Sequence, residues 1–557
     1  MRWRSLILPR PGAPPPDWMI FSGLFAALFA SHLTLLRLPY YWDEAGYYIP
    51  AAWDFFRTGS LIPLTTMNIA HPPLPSIYLA LWWKLFGFCP LVTRLAVLVA
   101  AALGLTAVWR LAVRLTSVPS VAFWTVALTG LYPICFAQST LAHADIFAAA
   151  CILWGLVYAL PVHIQESPGK PWAAALWFAL AALCKETAIA FPLTLAAVSL
   201  VESFRAPRLA RIRLWREAVW LSICVLPLAA WFAFHYLKTG FLFGSPEWLR
   251  YNAQSNLSLP RILAALEHRI IHLTAHMNLF VPVGMAIASL LLAPRPDRDQ
   301  RSEIRNQRSA DGSEGNKEAR PGLAPSVLSR VFLLLLVNAV LYSLLGGALL
   351  TRYLLPLYPL VMLMAVAAFY RRVPYWQALA GFSAAVFVLG IFINPPYGFA
   401  PEDNLTYARI IRLHQDGIRE LNALYPGATV LTTWPLSDAL SRPELGYLSR
   451  PYTVYLVRDF SAAGLARAAE EPEKYSAALV FSTKADVYSP IFNLGARSRA
   501  ADERYFGLHH DLPPEEIARQ LHGDLVWLQQ DHGQWIALIR FNRQFDARLE
   551  GSSLLGF

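Results

Sequence analysis

The sequence predicts an all-α polytopic membrane bundle followed by a C-terminal soluble α/β domain. Of the 557 residues, 56% are hydrophobic and only 15% are charged, with a mean hydropathy of +0.39. Apolar runs of about 20 residues recur between Met19 and Pro395, each long enough at ~1.5 Å per residue to cross a hydrocarbon layer of ~30 Å. Beyond Pro395 the composition changes, and polar residues mix with short β-rich runs. A single soluble enzyme, a disordered chain and a secreted disulfide scaffold are excluded.

The apolar runs fall at 19–37, 92–113, 119–138, 143–162, 172–184, 186–203, 217–237, 276–294, 330–349, 352–370 and 374–394, about eleven spans with room for up to about thirteen. The first is preceded by three arginines, as in a signal peptide, but it is long and runs directly into Tyr40-Tyr41-Trp42, an interfacial aromatic cluster. It reads as a retained span. The stretch 74–88 follows Pro72 and Pro73 and carries Pro75 and Lys84; it reads as a helix at the surface or dipping partway in.

With the N-terminus inside, the inner segments carry 21 Lys and Arg against nine at the opposite edges. The positive-inside rule then puts everything after the last span outside. The expected division is a transmembrane domain over 1–397, with an outer loop at 38–91 and a flexible cytoplasmic loop at 295–328, then a periplasmic α/β domain over 398–557. In that second domain strands are expected at Ala428–Thr433, Tyr452–Val457, Ala477–Ser482, Asp524–Leu528 and Trp535–Phe541, and helices at Leu405–Leu424, Ala462–Ala469 and Pro514–Leu521.

The five cysteines lie in or beside apolar stretches with no C-x-x-C spacing and read as packing residues. The formal charge of +10 sits between hydrophobic segments and not on one amphipathic face, so nucleic acid is not an expected partner.

Polar residues gather, by this topology, at the outer edges of the spans. Asp43-Glu44 with Tyr47 follows the first span, His71-Pro72-Pro73-Leu74 lies in the same loop, and His143 with Asp145 opens the fourth span. Lys185-Glu186 separates the fifth and sixth, and Arg352-Tyr353 opens the tenth. Charged groups at a membrane edge are costly unless they face water, an opposite charge or a substrate. Each also has a plainer reading: Asp43 as a helix cap or arginine partner, Lys185 as an ion pair with Glu186, Arg352 as an interfacial anchor, His143 as a polar cap.

Asp43-Glu44 with Tyr47, the His-Pro-Pro-Leu element where relatives commonly have Lys-Pro-Pro-Leu, the second acid Asp145, and Arg352-Tyr353-Leu-Leu-Pro-Leu-Tyr-Pro359 together resemble the protein O-mannosyltransferase and aminoarabinose (lipid A) transferase superfamily. Those are membrane glycosyltransferases of the GT-C fold, and the similarity spans roughly residues 15–400. It implies a hexosyl- or pentosyltransferase that takes a sugar from a polyprenyl-phosphate donor to an acceptor hydroxyl at the periplasmic face of a bacterial inner membrane, with inversion. The acceptor is a glycolipid, a wall polymer or a protein.

The resemblance implies Asp43, Glu44 and Asp145 as catalytic residues, with Asp43 the general base. It implies Lys185, Arg352, His71 and Tyr353 at the donor phosphate, and Tyr47, His143 and Glu186 at sugar or acceptor. His71 in place of lysine carries a charge that changes within the physiological range, and Gly46 stands where the family often has an arginine. No metal or other cofactor is assigned, although the donors include types that bind Mg²⁺, Mn²⁺ or Zn²⁺. The alternatives are a transporter or flippase of lipid-linked sugar, for which no internal repeat is visible, and a non-catalytic lipid-sugar-binding scaffold.

Overall fold

A computed structural model describes residues 15–69, 71–160, 170–293, 323–483, 503–506 and 511–541. Many helices open on proline at their first or second position, among them Pro90–Thr116, Pro119–Leu131, Pro171–Cys184 and Pro325–Leu344. The missing N–H costs nothing there and φ is pre-set.

Among the described residues four helices are long and apolar enough to cross a membrane: Pro90–Thr116, Glu186–Arg205, Arg208–Thr239 and Pro325–Leu344. A bent pair, Leu259–Asn278 with Phe280–Leu292, turns through 99°, and four further apolar helices have between 10 and 17 residues. Several apolar runs are therefore not single helices. The run 119–138 splits at Tyr132, because Pro133 begins a new helix. The run 352–370 opens as a 3-10 turn, Thr351–Leu354, and becomes α-helical only from Tyr358. Helix Arg208–Thr239 begins well before the apolar stretch expected at 217–237. The stretch near 74–88 forms helix Leu74–Phe86. The loop expected at 295–328 lies mostly outside the described residues, and its end belongs to helix Pro325–Leu344.

Small residues let the inner helices approach closely. A Cβ on Gly104 would stand 3.4 Å from the Ala150 backbone, and one on Gly155 would meet the Phe178 ring at 2.6 Å. Helices Pro90–Thr116, Ala144–Ala159 and Pro171–Cys184 thus pack as a trio, and the site described below forms at their ends. None of the five cysteines is in a disulfide.

After the last apolar helix, Trp376–Phe392, the chain forms a five-stranded sheet. Its strands are β1 (Thr429–Thr432), β2 (Thr453–Leu456), β3 (Ala477–Phe481), β4 (Asp524–Asp531) and β5 (Gln534–Arg540), in the order β2-β1-β3-β5-β4. β1 runs parallel to β2 and β3, whereas β5 is antiparallel to β3 and β4. β3 is buried along its whole length, as its continuous apolar sequence requires. β4 and β5 join through His532-Gly533, both at positive φ (49° and 81°), the geometry of a two-residue hairpin turn. Helix Thr406–Leu424 lies on the sheet, where Gly417 leaves room for Ile536 and Leu479.

Candidate active site

The chain turns sharply just after Tyr40-Tyr41. Trp42 takes a left-handed φ of 50°, Glu44–Tyr48 form one π-helical turn, and a regular helix, Ile49–Thr58, follows. Left-handed backbone at a bulky residue and a π turn are both costly, and both recur at functional sites. Here they leave the Asp43 carboxylate partly exposed while Glu44 is fully buried.

Arg352 is the hub. It is fully buried; its Nη2 donates to Asp43 Oδ2, its Nη1 donates to Glu402 Oε1, and its Nε lies 3.3 Å from Asp145 Oδ2. The other Asp145 oxygen accepts from Lys185 Nζ at 2.5 Å. Lys185 sits between two helices in extended backbone, with its ammonium 3.8 Å from the centre of the Tyr353 ring. Three carboxylates therefore face two cations, which leaves one surplus negative charge in a largely buried cluster.

Glu402 is where that surplus is relieved. Burial, with Asp43 and Asp403 adding and Arg352 opposing, pushes its carboxyl up to about 8. Its free Oε2 lies 3.8 Å from His143 Nε2. His143 Nδ1 is 2.8 Å from the Gln138 side-chain oxygen, an acceptor, so Nδ1 carries the proton and Nε2 offers a lone pair toward Glu402. A protonated Glu402 fits that arrangement. Next to it, Asp403 accepts from Thr351 Oγ1 and pairs with His276 Nε2 at 2.8 Å.

Sequence reasoning missed Glu402 and Asp403. The signal was present: a pair of adjacent acids directly after the last apolar run mirrors Asp43-Glu44 directly after the first.

Other residues singled out in the sequence are distributed around this hub. Glu44 is fully buried and turned away, bound by Arg94 Nη1 and by the backbone N–H groups of Ala142 (2.5 Å) and Tyr41 (3.2 Å). Arg94 also donates to the carbonyls of Thr140 and Pro39, so this is a fully bonded structural pair. The plainer reading of Lys185, an ion pair with its neighbour Glu186, is not the pairing found. Glu186 instead binds His71 Nδ1 at 2.7 Å, and His71 stacks on Tyr48 with the rings 5.9 Å apart. Tyr47 is half-buried, its phenol pushed up to about 12 by burial first and then by the charge of Asp43. Among the described residues, no group of three His, Cys, Asp or Glu side chains is placed to hold a metal ion.

The comparisons with known proteins bear on this arrangement. Residues 70–231, under a third of the chain, match the family described as Dolichyl-phosphate-mannose-protein mannosyltransferase. Among curated proteins no sequence matches. Among solved structures, ArnT from Cupriavidus metallidurans bound to undecaprenyl phosphate is similar with a TM-score of 0.52 at 15% identity, covering 94% of this chain and 97% of that one. The same protein in the apo state is similar with a TM-score of 0.49 at 14% identity, covering 93% and 98%. The chain has the GT-C fold.

Proposed function

We propose that this protein is a membrane glycosyltransferase that moves a sugar from a polyprenyl-phosphate donor to an acceptor hydroxyl. The observation that carries the reading is the joining of Asp43, Asp145, Lys185 and Arg352 into one buried charge cluster, in a fold similar to that of a protein solved with undecaprenyl phosphate. The acceptor oxygen attacks the anomeric carbon, the bond from that carbon to the phosphate oxygen breaks, and polyprenyl phosphate leaves. Asp43 takes the acceptor's proton. One displacement inverts the configuration.

Arg352 and Lys185 supply the charge that the leaving phosphate needs, and the planar fork of Arg352 suits two phosphate oxygens. Tyr353 braces both cations through its ring. Arg352 is bound to Asp43. An incoming phosphate competes for the same guanidinium and releases the Asp43 carboxylate to face the acceptor, so donor binding precedes proton transfer. Asp145 holds Lys185 and Arg352 in place as a positioning residue. Glu44, locked to Arg94, fixes the turn that carries Asp43. His71, paired with Glu186, takes the place of the family lysine at the rim of the phosphate site.

The reaction belongs at the outer face of a bacterial inner membrane, with the N-terminus inside and residues 398–557 forming a periplasmic domain. That placement rests on the excess of Lys and Arg in the opposite loops. The test is incubation of the purified protein with radiolabelled polyprenyl-phosphate sugars and membrane extract. Label should pass to an extract component with wild-type protein and not with Asp43→Asn. Absence of transfer from every donor overturns the reading.

A further inference from the structure

The α/β unit does not stand clear of the cluster around Arg352. Its backbone and side chains grip the turn that carries Asp43: Tyr40 N–H donates to the Leu445 carbonyl at 3.2 Å, Tyr447 hydroxyl to the Tyr40 carbonyl at 3.0 Å, and Arg442 to the Thr65 carbonyl at 2.7 Å. Between these anchors the segment after β1 delivers Trp434. Its ring meets Trp42 edge-on with centroids 4.9 Å apart, and lies 6.1 Å from the ring of Tyr47.

Gly46 makes this approach work. A Cβ there would stand 2.8 Å from the indole nitrogen of Trp434. The space that a larger side chain at position 46 would fill is thus occupied by an aromatic ring from the second domain. Trp42, Tyr47 and Trp434 are all half-buried, so part of each side chain stays open to contact.

In a single displacement the acceptor and the leaving group lie on opposite sides of the anomeric carbon. Lys185 and Arg352 mark the leaving-group side of Asp43. The three aromatic rings cluster together, and two of them, Trp42 and Tyr47, flank Asp43 in the chain. We propose that Trp434, with Trp42 and Tyr47, forms an acceptor subsite that takes an uncharged saccharide ring beside Asp43, an inference that rests on the glycosyltransferase reading above.

The chemistry around the rings fits a sugar and not a phosphate. Aromatic faces pack on the C–H faces of a pyranose, and carboxylates accept from its hydroxyls. Tyr47 feels the carboxylates of Asp438 and Glu247 as well as Asp43. Asp438 lies close to the Trp434 indole and pairs with Arg442 at 3.6 Å. Arg442 is thereby engaged with Asp438 and Thr65.

The experiment is saturation-transfer NMR on full-length protein, with methyl β-glucoside, methyl β-galactoside, methyl N-acetyl-β-glucosaminide and glucose 6-phosphate as probes. Undecaprenyl phosphate binding is measured on the same samples as a check of folding. Wild-type protein should transfer saturation to at least one neutral glycoside and less to the phosphate. Trp434→Ala should weaken that signal about tenfold and Trp434→Phe should keep most of it. Gly46→Ala, which pushes a methyl into the indole from the membrane domain, should weaken it without altering the α/β unit. No signal from wild-type protein with any glycoside, an equal signal from glucose 6-phosphate, or an unchanged signal in both Trp434→Ala and Gly46→Ala overturns the proposal. Asp43→Asn should lower turnover at least about a hundredfold and keep the glycoside signal. Retained turnover in that variant sinks the assignment of Asp43 as base while the glycoside signal still decides the subsite.

Discussion

Asp43 and Arg352 stand 309 positions apart in the sequence, and the guanidinium of one donates to the carboxylate of the other. That contact ties the turn after the first helix to the 3-10 turn that precedes helix Tyr358–Arg372. Through Glu402, the same guanidinium also reaches the segment that leads into the sheet. Three parts of the chain thus share one cation, and most of the expected behaviour follows from how that cation is shared.

Asp43→Asn should lower turnover on the order of 10²- to 10⁴-fold, the usual contribution of a positioned base. Affinity for undecaprenyl phosphate should hold or rise, since a competitor for Arg352 has been removed. Turnover and lipid-phosphate titration on the same preparation check this; a loss confined to binding would contradict the assigned role.

Glu44→Ala should act through stability. It strands the buried Arg94 guanidinium without its carboxylate, and breaking a buried pair in this way costs on the order of 3–5 kcal/mol. A thermal melt should show a large drop for Glu44→Ala and little change for Asp43→Asn. Equal melts for the two variants would show that Glu44 is not a structural anchor.

Lys185→Met should weaken undecaprenyl phosphate binding by about 10- to 100-fold, the range for one charge-assisted hydrogen bond. Lys185→Arg should recover part of it. The decisive comparison is the donor KM against kcat at saturating donor, where the effect should fall mainly on KM.

Donor affinity should depend on pH through Glu402, which faces Arg352, Asp43, Asp403 and His143. Burial sets its folded value near 8, above the ordinary carboxyl range near 4.3. Its contribution to stability is therefore fully present below about pH 4 and is lost as pH rises toward 8. An added phosphate favours the protonated form, so affinity should fall up to about tenfold per pH unit above 8. Titrations between roughly pH 7.5 and 9.5, where the phosphate is already ionised, should show this slope in wild-type protein and a flat line in Glu402→Gln.

Hydropathy and residue motifs made much of the molecule legible beforehand. Alternation and turn signals located each strand of the sheet to within a few residues, because a strand's pattern is set by its own two faces. The boundaries of the membrane helices were less legible: proline and the conformations of Lys185 and Thr351–Leu354 break apolar runs that hydropathy reads as continuous. Sequence also singled out Asp43, Asp145, Lys185 and Arg352 at helix ends, and the structure brings these four together.

The sequence by itself determined that this chain crosses a membrane many times, ends in a mixed strand-and-helix unit, and places unusual charges at helix ends, since those properties are local to each segment. Only the tertiary structure decided which charges meet. It gave Glu44 to Arg94, moved Glu186 from Lys185 to His71, brought Glu402 onto Arg352, and set Trp434 against Gly46. The physical reason is that a buried charge takes whichever opposite charge the packed backbone brings within a few ångströms, and the order of residues along the chain does not encode that distance.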